Sequence, residues 1–274
     1  MTVLVRVNRL FLTKLDSVEL RERGDSIRVA PDKVKLRFTM VQKSQKLPTT
    51  KILELFSDIP ESVSTNLLSR GRFRDFPSGD VLFCFGDPAK EVFLLTEGRV
   101  KITQVTKNGE EVILRLDSPG DLIGSLGMHL AGTHNATAQA IEESKALVWD
   151  AYTFKDALSR SPVLERNTQR FLERRIYELE QRFCEVATAR ASARLARELV
   201  RLLKQIGQKR NGQREIRIPH EWVAEMAAMS QFTVSRFLAE WERRGVVSVK
   251  HGTITIQNYK SLKGLCRESR ILPI

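Results

Sequence analysis

Cysteine is scarce in this chain: three residues, Cys84, Cys184 and Cys266, in 274. None belongs to a CxxC pair, so the usual zinc and iron–sulfur ligand spacings are missing and no metal site is expected. Cys84 lies in a strand-like run and Cys184 in a helical one, and both are expected to be buried and inert. Long hydrophobic runs are also missing. No apolar stretch approaches the roughly 20 residues of a membrane-spanning helix. The N-terminus, MTVLVRVNRLFLTKL, interrupts its apolar stretch with Arg6, Arg9 and Lys14 and makes a poor signal peptide. A cytoplasmic protein with no membrane partner is expected. Enzyme signatures are lacking too: there is no nucleophile elbow, phosphate loop or metal-ligand pair. Asp80, Asp87 and Asp121 stand in turns, where Asp is ordinary. No catalytic residue is expected.

Positive charge is abundant. Lys and Arg number 45 against 33 Asp and Glu, a formal charge of +12, which fits a polyanionic partner. A basic but unspecific surface would give the same total. The length allows two domains, each with its own core.

Residues 218–258 carry the most information. A helix is predicted from His220, just after Pro219, whose missing N–H suits a helix start. Val223, Met226 and Ala227 form its apolar stripe, and the small Ala224, Ala227 and Ala228 permit close approach of a second helix. Ser230 is a good N-cap for that second helix. Val234, Phe237, Leu238 and Trp241 form its inner face, and Gly245 ends it. Two β-rich runs, 246–250 and 253–257, then meet at His251-Gly252.

Helix, turn, helix and wing, in this order and on a basic chain, point to a DNA-reading module rather than a helical hairpin with solvated charges. Ser230, Gln231, Phe232, Thr233, Ser235 and Arg236 occupy the first turns of the second helix, which enter the major groove in this motif. Arg236 can donate two bonds to a guanine edge, and Gln231 can pair with adenine. Thr233 and Ser235 suit phosphate. Lys250 and His251 at the wing tip are placed to touch the DNA backbone.

From Phe76 the texture changes. Strand-like runs at 81–85, 92–96, 100–105 and 111–116 alternate with Gly79, Gly86, Gly98 and Gly109. Short strands with regular glycine turns suggest an antiparallel barrel or jelly roll, and Asn108-Gly109 is a strong hairpin signal. A glycine-rich stretch, 118–127, follows. His129 and His134 lie near it; surface or hydrogen-bonded histidines are favoured over metal or haem ligands.

Between the two halves, Leu172, Ile176, Leu179, Phe183 and Val186 step by 4, 3, 4 and 3. That narrow seam, on a helix with charged outer faces, predicts a coiled-coil homodimer rather than a helix lying on its own domain. Residues 189–208 read as another amphipathic helix with Leu195, Leu199, Leu202, Leu203 and Ile206 inward. Residues 188–190 are the hinge candidate, 208–215 a polar loop, and 259–274 a short helix with a loose tail.

The stretch Thr233-Val-Ser-Arg-Phe-Leu and the Ile254-Thr-Ile of the wing resemble the Crp/Fnr superfamily of bacterial transcription regulators. Residues 53–152 are similar to that family's cyclic-nucleotide-binding β-roll, with Pro119-Gly120-Asp121 and Gly124 matching the phosphate-cassette frame. The resemblance implies an α+β fold: an N-terminal antiparallel, jelly-roll-like β-roll sensor, a long dimerisation helix and a C-terminal winged helix-turn-helix. It divides the chain into an extension (1–47), an effector domain (48–160), the dimerisation helix (161–188) and the DNA-binding domain (189–274).

The family's effector pocket maps onto Gly124, Ser125, Leu126, Asn135, Ala136 and Thr137, closed by the helix near Leu179 and Glu180. Cyclic-AMP binders have Gly-Glu-Leu where this chain has Gly124-Ser125-Leu126, and Arg-Ser where it has Asn135-Ala136. A buried phosphate without its Arg goes uncompensated, so no response to cyclic AMP is expected. No cofactor is predicted, and an unknown small-molecule effector stays open. At the recognition helix, Phe232 replaces a Glu that reads cytosine; a phenyl ring suits a thymine methyl instead. Ala228 stands where the family has a turn glycine, at a cost of about 1 kcal/mol if its φ is positive.

The expected function is a homodimeric regulator on an inverted-repeat operator, contacting RNA polymerase if it activates. A ligand would act by biasing two pre-existing dimer states. The alternative, a nucleotide-binding regulatory subunit controlling a partner protein, leaves the winged module unexplained. The N-terminal extension lacks the cysteine cluster of the iron–sulfur relatives, which argues against oxygen sensing by that route. It is expected either to be a basic arm or to precede a true start at Met40, the second being preferred.

Overall fold

The computed structural model describes residues 54–109, 111–124, 132–210, 212–250 and 252–267, together with the backbone of a short antiparallel pairing, β1 (Leu4–Val5) with β2 (Ile27–Arg28). The expectations for Ser125, Leu126, His129, His251 and a start at Met40 lie outside the described residues.

The first half is a β-roll of two four-stranded antiparallel sheets. One has the order β3 (Arg72–Phe76), β10 (Ser144–Asp150), β5 (Glu91–Glu97), β8 (Leu122–Gly124). The other runs β4 (Val81–Phe83), β9 (Thr137–Ala140), β6 (Val100–Val105), β7 (Glu111–Asp117). β5 shows why the sequence reads Val-Phe-Leu-Leu without polar alternation: both its faces are covered. Phe93 and Leu95 point into the roll with Phe76, Ile102, Ile123 and Val148. Val92 and Leu94 point outward into a second cluster with Leu67, Trp149, Phe154, Leu164 and Phe171. That second cluster is roofed by α1 (Glu61–Arg70), α2 (Ala151–Arg160) and the start of α3 (Pro162–Thr188). The buried indole of Trp149 donates to the Leu67 carbonyl at 2.7 Å, fixing α1 to the sheet. The expected Asn108-Gly109 hairpin joins β6 to β7, with Gly109 at φ +84°.

α3 starts as a proline helix should. Ser161 caps it by accepting from Leu164 N, and Pro162 sits in the first turn. Asn167, buried, donates from its amide to the Leu55 and Ser57 carbonyls at 3.0 and 2.9 Å. Beyond Phe171 one face of the helix stays on the roll, where Arg175 pairs with Asp117 and Arg182 donates to the Leu114 carbonyl, while its apolar stripe is open. Leu172 still packs against the outer cluster, but Ile176, Leu179, Phe183 and Val186 are exposed in the single chain, Phe183 at 74%.

The C-terminal domain contains α4 (Ala191–Gln205), α5 (His220–Met226), α6 (Gln231–Arg243) and α7 (Tyr259–Leu265). Its sheet has the order β11 (Gln208–Arg210), β12 (Gln213–Arg217), β14 (Thr253–Ile256), β13 (Val247–Lys250). Two expectations are corrected here. The helix predicted over 189–208 is shorter, because Arg190 is its N-cap residue and Ile206 its C-cap. The predicted polar loop 208–215 is a hairpin, whose second strand pairs with β14 through Arg214↔Ile256 to Arg217↔Thr253. Its side chains are mostly exposed, so no apolar alternation marked it. The core joins Leu195, Leu199, Leu202, Ile216, Val223, Val234, Leu238, Trp241, Ile254 and Leu262.

The cysteine expectation is also corrected. Cys84 and Cys184 are both exposed, and Cys266 is partly covered. Cys84 follows the end of β4 instead of lying within it, and Cys184 faces away from the body of the chain on α3. Among the described residues no helix is long and apolar enough to cross a membrane.

Candidate DNA interface and effector fold

The seven-residue α5 and the thirteen-residue α6 are joined by a turn at Ala227–Ser230 whose geometry is set by backbone bonds. Ala228 N–H donates to Glu225 O and Met229 N–H to Ala224 O, both at 3.0 Å. This is a Schellman closure, and it places Ala228 at φ +52°, where glycine is the usual residue. The departure seen in the sequence is therefore accommodated as a strained alanine rather than an altered turn. Ser230 then caps α6: its hydroxyl accepts from Thr233 N at 3.3 Å and pairs with the Thr233 hydroxyl at 2.9 Å. At the far end Gly245 has φ +68°, and Val246 N–H returns to Trp241 O at 2.8 Å, closing the helix as the sequence predicted.

The face of α6 that points away from the core carries Gln231, Phe232, Ser235 and Arg236, all exposed, with Thr233 half-covered. Phe232 is 76% exposed, a large apolar side chain standing open in the free chain. The Arg236 guanidinium lies 5.5 Å from the Phe237 ring, and the residue is exposed. Lys250 ends β13 on the exposed side. One positioning contact gave no sequence signal. The Glu242 carboxylate on the last turn of α6 accepts from Val249 N at 2.9 Å, tying the wing to the recognition helix.

Of the effector-pocket residues, Gly124 ends β8, with His134 and the Glu91 carbonyl beside it. Asn135 is exposed, Ala136 buried, and the Thr137 hydroxyl accepts from Phe85 N at 3.0 Å. Leu179 and Glu180 are exposed on α3. His134 is buried, and its backbone N–H donates to the Asp87 carbonyl at 2.8 Å. It is 5% exposed, and its ring stacks on Phe83 with centroids 3.6 Å apart. A cleft of about 450 Å³ opens beside it, lined by Arg72, Phe83, Lys90, Glu91 and Asp150 among others; none of the described pocket candidates lines it. Arg72 is held there by Glu91 at 2.6 Å.

The two halves touch. Ile113 and Leu116 of β7 belong to the same apolar cluster as Val223 and Met226 of α5. Lys101 Nζ lies 5.0 Å from the Trp222 ring and 2.6 Å from Glu111. Arg99 donates to the Ile206 carbonyl at 3.2 Å, and Arg182 of α3 to the Leu114 carbonyl at 2.7 Å.

Comparison with known proteins agrees with this architecture. Residues 73–161 match the model for the cyclic nucleotide-binding domain, and residues 193–265 match that for the Crp-like helix-turn-helix domain. The chain is 29% identical over 199 residues to the cyclic AMP receptor protein of Thermus thermophilus, covering 72% of this chain and 89% of that one. It is 24% identical to the CRP-like cAMP-activated global transcriptional regulator of Mycobacterium tuberculosis, over 76% of this chain and 94% of the relative. A solved transcriptional regulator of the CRP/FNR family, also from Thermus thermophilus, superimposes with a TM-score of 0.62 at 23% identity, covering 72% and 99% of the two chains. The chain belongs to the Crp/Fnr superfamily. It is a transcription regulator with a helix-turn-helix DNA-binding domain, in a family of regulators rather than enzymes.

Proposed function

We propose that this regulator is a cytoplasmic homodimer that reads an inverted-repeat operator and does not respond to cyclic AMP. The observation that carries the dimer is the open stripe on α3. Ile176, Leu179, Phe183 and Val186 are 49–74% exposed at coiled-coil spacing, on a helix whose other faces are charged. Pairing two such helices buries the stripe and sets two recognition helices about one DNA turn apart. On this reading residues 48–160 form the effector domain, 161–188 the dimerisation helix and 189–274 the DNA-binding domain.

In the groove, Arg236 reads guanine, Gln231 adenine and Phe232 a thymine methyl. Ser230, Thr233 and Ser235 at the helix start, with Lys250 and His251 at the wing, hold phosphate. RNA polymerase is the further partner where the protein activates. Gly124, Asn135, Ala136 and Thr137 offer a cyclic phosphate no guanidinium, which supports indifference to cyclic AMP. Two experiments test the reading. Leu179→Asp splits the dimer in light scattering; a surviving dimer would refute the seam. Calorimetry with cyclic AMP gives no heat of binding; micromolar affinity would overturn the predicted indifference.

A further inference from the structure

One arginine is the meeting point of two helix ends. Arg194, in the first turn of α4, donates from Nε to the Ala227 carbonyl at 3.1 Å and from Nη2 to the Ala228 carbonyl at 3.0 Å. Its Nη1 donates to the Ala189 carbonyl at 3.2 Å. Ala227 is the C-cap of α5, and Ala228 is the positive-φ residue of the helix-turn-helix turn. Ala189 is the C-cap of α3 and is almost fully buried. The last carbonyls of a helix have no partner within it and carry its negative dipole end. Here the ends of two helices from different parts of the chain converge on a single cation. The guanidinium suits this because its donors form a rigid fork that can serve three acceptors at once, which a lysine ammonium on a flexible stem cannot do in fixed geometry.

The turn needs such a hold. An L residue at φ +52° is strained by about 1 kcal/mol, so the surrounding contacts must hold it there. Ser230, the cap of the recognition helix, is two residues beyond Ala228, so a change of φ there re-aims Gln231, Phe232 and Arg236. We infer that Arg194 is a positioning residue for DNA reading: it locks the strained helix-turn-helix turn to the end of α3, so that the recognition helix keeps a fixed orientation to the long helix. It touches no base itself.

The inference rests on the module reading DNA selectively, and the test separates the two. The full chain first selects a duplex from a random pool; anisotropy titrations then compare that duplex with a scrambled one. Arg194→Gln loses on the order of tenfold in affinity for the selected duplex, while its affinity for the scrambled duplex and its salt slope are unchanged. Arg194→Lys, which keeps the cation but not the fork, falls between. Adding Ala228→Gly to Arg194→Gln restores part of the loss, because the turn no longer needs holding. Equal weakening on both duplexes, or no rescue by Ala228→Gly, overturns the inference. Should the parent chain select no duplex, selective reading fails, and thermal melting of the same variants still decides the role of Arg194. The melting shift from Arg194→Gln is then smaller in the Ala228→Gly background; equal shifts in both backgrounds overturn it.

Discussion

Arg182 on α3 and Glu198 on α4 lie 3.6 Å apart across the junction of the two helices, and the Glu198 side chain is fully buried. Arg201 completes the group, 2.7 Å from Glu198 and 2.8 Å from Glu185 of α3. The long helix is thus joined to the DNA-binding domain by charge as well as by backbone. Removing one partner of a buried ionic group leaves the others uncompensated. Glu198→Ala should therefore destabilise the domain by about 3 kcal/mol, read as a lower midpoint in urea unfolding. A loss below about 1 kcal/mol would show that water reaches the group, as it does for surface pairs.

Arg236 and Lys250 are exposed in different settings, one on the outer face of α6 and one at the wing. Arg236→Ala should cost about 1–3 kcal/mol on the selected duplex and relax its base preference. Lys250→Ala should weaken all duplexes alike and reduce the salt slope by about one unit. Unchanged affinity after Arg236→Ala would mean that α6 does not read the groove with this face.

Glu225 of α5 has its carboxyl pushed above the ordinary 4.5, by burial first and then by the neighbouring charge of Glu111; Lys101 and a bond from Ile113 N–H act in the opposite sense. A raised carboxylate binds more protons folded than unfolded, so its contribution is full below the ordinary value and is lost as pH rises through the raised one. Contact between α5 and β7 is accordingly firmer in mild acid. Because Glu225 remains solvent-exposed, the effect is small. Melting temperatures between about pH 4 and 7 should show a falling contribution that Glu225→Gln abolishes, with the variant slightly more stable at neutral pH. A variant that tracks the parent at every pH would refute it.

The thiols differ in the same readable way. Cys84 and Cys184 are exposed, while burial pushes the Cys266 thiol upward and its Sγ donates weakly to the Leu262 carbonyl. A neutral thiol reagent should modify the first two quickly and Cys266 slowly, by mass spectrometry. Cys184 neighbours Phe183 but stands off the 172–186 seam, so it should stay reactive in the proposed dimer. Its protection would contradict the proposed register.

Much of this was legible because it is local. The Ser230 cap, the Val234–Leu238–Trp241 spacing and the Gly245 stop each act within a few residues, and the structure places them as read. The alternation of glycines with short apolar runs pointed to an antiparallel barrel or jelly roll for the same reason: turns are local chemistry. The β11–β12 hairpin was not legible. Its residues are polar and exposed, and only pairing with β14, far along the chain, makes them part of a sheet.

Cys84 and Cys184 mark the same boundary from the side of burial. Periodicity says which residues share a face, but not what covers that face, since the cover comes from elsewhere in the chain. Sequence alone determined the helix–turn–helix order, the outer face of α6 and the seam spacing of α3, because spacing and capping are properties of neighbours. Tertiary structure alone decided that Glu198 is buried against Arg182, that β7 rests on α5, and that Arg194 gathers the ends of two helices around a strained Ala228. Those contacts join residues far apart along the chain, and only the folded packing selects them.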